Sequence, residues 1–155
     1  MKFIRSALAV ILGLAFVMPA LSATTDPEVV IYRFPGVKDD GGGTNAGVAT
    51  AFHCTNFSGT QEVVRVVVRD GSTTIKVNTT FGLGHLGTQI ATTHFTALYS
   101  AELVLSTGAL EGTAAIAATS TDIVCTAAMI NAGSSVPSGY PLPGVRFNPI
   151  PGTQE

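Results

Sequence analysis

Between residues 29 and 131 apolar and polar side chains alternate with a period of two, the spacing that sends successive side chains to opposite faces of a strand. Residues 62–69 carry the pattern most plainly: Val64, Val66 and Val68 share one face, and Arg65, Val67 and Arg69 the other. Asp70-Gly71 follows as a tight-turn signal, and residues 74–81 return with Ile75, Val77, Thr79 and Phe81 inward, which predicts a hairpin. Residues 47–57 alternate as well, with Phe52 and Cys54 on the face expected to be core. Further strands are predicted at 29–34, stopped by Pro35-Gly36, and at 88–96. The Ala-rich stretches 113–119 and 123–131 also read as strands, because β-branched residues lie between the alanines. Residues 38–45 read as a flexible loop, and 96–105 as either a helical turn or an extended segment. About seven short strands, with no long helical period, predict an all-β chain folded as a β-sandwich.

The ends of the chain break this pattern. Lys2 and Arg5 precede an uncharged apolar run over residues 7–17, followed by Pro19 and the small residues Ala20, Ser22 and Ala23. That order describes a cleavable signal peptide over 1–23. The run is shorter than the roughly 20 residues a membrane-spanning helix needs, so no membrane span is expected after cleavage. The sandwich domain is then 24–132. Residues 133–155 form a Pro-rich C-terminal tail, with Pro137, Pro141, Pro143, Pro149 and Pro151, expected to be extended and either packed along the domain or free. Export places the mature protein in the periplasm or outside the cell.

Charge and cysteine content narrow the function classes. Charged residues make up 12% of the chain. Cleavage removes Lys2 and Arg5 and leaves six basic and ten acidic side chains, a formal charge of about −4. Such a chain has no electrostatic footprint for nucleic acid or an anionic membrane. Solubility then rests on Thr, Ser and Asn, which makes self-association or an unknown protein partner the expected mode of work. Cys54 and Cys125 are the only cysteines, and in an exported chain they are expected to form one disulfide across the two sheets. A bridge enclosing so long a loop stabilises by roughly 4 kcal/mol in the chain-entropy model. No Cys-x-x-Cys is present to suggest a redox role.

Candidate chemistry is sparse. Gly82-x-Gly84-x-x-Gly87 matches the dinucleotide fingerprint in letters, but a strand and not a helix is predicted to follow it, so it reads as a glycine-rich turn and no cofactor is expected. His53, His85 and His94 are the only histidines. His85 and His94, joined by an acid, are the one combination that could hold a metal, which gives a small metal-binding protein or metalloenzyme as the alternative function. There is no Gly-x-Ser-x-Gly elbow, and Glu62, Asp70, Glu102, Glu111 and Asp122 are too scattered to pair as acid and base, so no catalytic residue is predicted. Arg65 and Arg69 share a strand face as a solvated surface or a binding stripe. Asn56-Phe57-Ser58 and Asn78-Thr79-Thr80 match the glycosylation pattern, which matters only in a eukaryotic host, and are taken as chance.

Residues 52–56 around Cys54, the hairpin 63–77 and residues 123–127 around Cys125 resemble immunoglobulin-like sandwich modules of bacterial exported proteins, over about residues 46–131. The chain is also similar to small uncharacterised secreted bacterial proteins of its size. It has no tryptophan, and Ile123 stands where a tyrosine corner would place Tyr. The resemblance therefore implies sandwich architecture and transfers no functional residue. The expected function is an exported, non-enzymatic module for binding or for envelope or extracellular structure.

Overall fold

The structure, a computed structural model, describes residues 28–147. The segment 1–23 and the end of the tail lie outside the described residues. Among the described residues ten strands follow one another: β1 (Val29–Asp39), β2 (Val48–Asn56), β3 (Glu62–Asp70), β4 (Ile75–Leu83), β5 (Thr88–Thr92), β6 (Glu102–Val104), β7 (Leu110–Ala118), β8 (Ile123–Asn131), β9 (Gly139–Leu142) and β10 (Val145–Arg146). They form two five-stranded sheets, ordered β10-β1-β7-β3-β4 and β6-β5-β2-β8-β9. Here these are called the first and second sheets. β5 and β6 pair in parallel, and the other paired strands are antiparallel.

The alternation seen in the sequence becomes a shared core between the sheets. Ile31, Phe34, Val64, Val66, Val68 and Ile116 from the first sheet form one buried cluster with Phe52, Cys54, Ile123, Cys125 and Ala127 from the second. Phe34 and Phe52 meet edge to face across the gap, with ring centroids 5.8 Å apart. Each fully buried Val or Ile contributes about 1.5–3 kcal/mol against leaving it exposed. β2 is buried on its other face as well. There Ala49 and Ala51 join Ile130 and Ala132 in a second cluster, covered by Leu98 and Tyr99.

Several expectations need correction. The disulfide does not bridge the sheets. Cys54 and Cys125 are directly opposed on β2 and β8, neighbours in the second sheet, with Cα atoms 4.2 Å apart. That is the close spacing of a non-hydrogen-bonded antiparallel pair. The strands number ten rather than about seven, because β6, β9 and β10 are too short, or too rich in proline, to show an alternation. β1 does not stop at Pro35-Gly36. A bulge between Pro35 and Val37 absorbs one residue, Gly36 takes φ 75°, and the strand continues to Asp39. Ile75 is exposed rather than inward, since a register shift at Val68–Arg69 turns the start of β4 away from the core. The segment 96–105 holds no helix; it ends in the three-residue β6.

Up to Phe147 the C-terminal segment packs along the domain. β9 extends the second sheet beside β8, Leu142 is buried, and the chain then crosses to β10 beside β1. The Phe147 amide donates to Ile31 O at 2.8 Å.

β7 lies between β1 and β3, and the backbones crowd at its start. A Cβ built on Gly112 would sit 1.9 Å from Arg69 O. Gly112→Ala is therefore expected to lower unfolding stability by about 1–3 kcal/mol, the usual cost of overpacking. Gly84→Ala, where a Cβ meets nothing within 4 Å, should be close to neutral. Urea denaturation of both variants checks this; equal effects would show that the close approach is not the constraint.

Candidate functional site

The ends of β1 and β2 meet in a buried polar seam between the sheets. Thr50, on β2, is fully buried, and its hydroxyl accepts from Lys38 N at 3.0 Å and donates to Lys38 O at 2.8 Å. One side chain of the second sheet thus satisfies both backbone groups of a residue in the first. Thr50 N donates to Thr93 Oγ1, and Thr93 N donates back to Thr50 O, each at 3.0 Å. Next along β1, Asp39 is 2% exposed. Its carboxylate accepts from Gly41 N at 2.7 Å and Thr107 Oγ1 at 3.1 Å, and it meets His94 Nδ1 at 2.8 Å. His94 Nε2 lies 3.0 Å from Ala46 O. A carbonyl can only accept, so Nε2 carries a hydrogen. Asp40 accepts from the amides of Val48 and Gly42, and these bonds, the Val48 amide foremost, hold its carboxyl below the usual carboxylate range. The loop between β1 and β2 is therefore tied down at both ends, not free.

Beside this seam lies an open recess of about 770 Å³. It is lined by Lys38 of β1, half-buried Val48 of β2, half-buried Met129 of β8, and exposed Asn131, Ser138 and Tyr140. Tyr140, on β9, is 76% exposed. Among the described residues Lys38 is the one ionisable cation of this lining, and its ammonium pairs with Glu111 at 2.6 Å. The hydrogen bond to Glu111, reinforced by its charge, raises the Lys38 pKa. The recess is thus apolar with hydrogen-bonding groups at its margin, the usual composition of a small-molecule site.

The histidines do not converge. His85 Nδ1 accepts from Gly59 N at 3.0 Å, and His94 faces Asp39 and Ala46. His53 Nε2 meets the Tyr99 hydroxyl at 2.9 Å. Among the described residues no three His, Cys, Asp or Glu side chains gather as a metal site would require. The Asp39–His94 pair has the form of an acid–base dyad, but the nitrogen that would face a nucleophile is committed to Ala46 O. Gly84–Gly87 is a turn, closed by Gly87 N donating to Gly84 O at 2.9 Å. Arg65 pairs with Glu28, and Arg69 donates to Thr73 O at 2.9 Å. Asn56 is fully buried and donates to Thr60 O and Leu83 O, which removes it as a glycan acceptor in the folded chain. Asp39 escaped the sequence reading because Pro35-Gly36 hid the continuation of β1; the inward sequence Val37, Asp39 past the bulge was the available signal.

Two threonines give opposite predictions. Thr50→Val strips Lys38 N and O of their shared partner and should lower stability by about 2 kcal/mol or more. Thr92 Oγ1 is buried with no hydrogen-bond partner among the described residues, so Thr92→Val should be neutral or stabilising. Thermal unfolding of the pair tests this. A third expectation concerns pH. Burial lowers the His53 pKa from 6.5, so the folded state disfavours the imidazolium. The unfolded chain binds that proton more readily, so stability is full above the unfolded value and falls as pH drops through the folded one. His53→Gln should flatten the loss of stability below about pH 6.5; an unchanged profile would remove His53 as a cause.

No helix among the described residues is long and apolar enough to cross a membrane. Compared with known protein families, curated proteins and solved structures, the chain matches none.

Proposed function

We propose that this chain is an exported, non-enzymatic β-sandwich module that works by binding, and that the recess beside Tyr140 takes a small apolar or amphipathic molecule. The observation that carries the reading is the recess itself. Its volume of about 770 Å³ suits a small ligand, its lining is apolar, and its one cation is already paired. Export rests on the basic, apolar and small-residue order of 1–23, and the Cys54–Cys125 bridge fits an oxidising compartment, periplasmic or extracellular. An immunoglobulin-like assignment is supported by two sheets, antiparallel but for the β5–β6 pair, around one core and opposed by a disulfide lying within one sheet.

Titration with the fluorescent probe anilinonaphthalene sulfonate tests the binding reading. The folded chain should bind the probe, and Tyr140→Ala should weaken binding about fivefold, the effect of losing an aromatic contact worth about 1 kcal/mol. Tyr140→Phe should retain it. No binding, or binding indifferent to Tyr140→Ala, would overturn this function.

A further inference from the structure

On the side of the molecule away from the recess, the first sheet ends in β4, which pairs with β3 alone. β4 is nine residues long, against two for β10, three for β6 and four for β9, the other strands at sheet edges. Long free edges are normally blunted by charge, proline or a bulge. Ile75-Lys76-Val77-Asn78-Thr79-Thr80-Phe81-Gly82-Leu83 has no proline and one charge, and its register shift lies at the turn end. Its inner face is also incompletely covered. Val77 and Leu83 are buried at 6% and 5% exposure, yet Thr79 and Phe81 between them are only half-buried.

We infer that β4 pairs antiparallel with β4 of a second copy of this chain, about a two-fold axis through Thr79. The strand is self-complementary in that register. Phe81 opposes Val77 on the inner side and Thr80 opposes Asn78 on the outer side, while at the two ends Gly82 and Leu83 of one copy meet Lys76 and the outward-turned Ile75 of the other. Around the axis the apolar Phe81 and Val77 meet each other, and the sole charge of the strand, Lys76, meets a glycine. Shifting the register by one residue would set the core face of one copy against the solvent face of the other. Shifting by two keeps the faces but shortens the ladder, so the axis at Thr79 is the register that brings the two strands into the longest overlap. The two lysines then stand roughly 20 Å apart, six residues along the strand. The contact is isologous and closes on itself, joining two first sheets into one of ten strands. The half-buried Thr79 and Phe81 are sealed by their counterparts.

Light scattering of the purified chain over a concentration series, combined with cysteine crosslinking, tests this. The mass should rise to that of a dimer. Thr79→Cys should form a covalent dimer under mild oxidation, because directly opposed residues hold their Cα atoms within disulfide range. Lys76→Cys, whose copies are far apart, should not. Asn78→Glu with Thr80→Glu sets carboxylates opposite one another across the axis, and it should raise the dimer dissociation constant about tenfold. Both sites are exposed, so the fold should persist, and retained probe binding at the recess confirms it. A chain that stays monomeric, or Thr79→Cys crosslinking no faster than Lys76→Cys, overturns the inference without touching the binding function.

Discussion

The bond between Cys54 and Cys125 joins residues that already face each other across β2 and β8. A cross-strand bridge of this kind forbids slippage. A one-residue slip would turn Phe52, Cys54 and Asn56, with Ile123, Cys125 and Ala127, from the core to the opposite face. Everything beside that pair inherits its register. β5 adds to the far side of β2, β9 adds to the far side of β8, and Leu98 and Tyr99 lie over the face that is left. The Tyr140 recess depends on this too, since Val48 and Met129 come from the same locked pair.

The second organising element is polar. In a chain with few charges, threonines connect the sheets. Thr50 completes the backbone of Lys38, Thr93 completes that of Thr50, and Thr107 joins His94 on the Asp39 carboxylate. A hydroxyl both donates and accepts, so one threonine can occupy a buried strand position and still satisfy two backbone groups. This network fixes the end of β1 beside the recess. The recess is consequently framed by rigid elements rather than by a loose loop.

The β3–β4 hairpin was legible because its evidence is local: alternating valines, then Asp70-Gly71. Even there the detail lay elsewhere. Thr73, not Gly71, takes the left-handed φ of 71°, Asp70 caps the amides of Ser72 and Thr74, and the register shift beside the turn leaves Ile75 outward. The pairing of Cys54 with Cys125 was legible from composition, but not its place. Whether two strands are neighbours or face each other across a core is a property of topology, which periodicity does not encode. Asp39, Thr50 and Tyr140 were illegible as a site for the same reason. They lie on β1, β2 and β9, and only the packing of the sheets assembles them.

The position of β1 has a consequence for the order of folding. Its neighbours in the first sheet are β7 and β10, both far downstream, so a chain emerging from its N-terminus presents β1 with no strand to join until residue 118 has followed. β2 likewise waits for β5 and β8, while the β3–β4 hairpin is the first pairing that can close. Long-range pairing of this kind makes folding slow, because distant segments must meet before any contact rewards them. A chain threaded through a narrow channel would therefore complete its first sheet only after residue 146 had passed. In such a topology delayed folding is a property of the strand order itself and requires no separate device to hold the chain open.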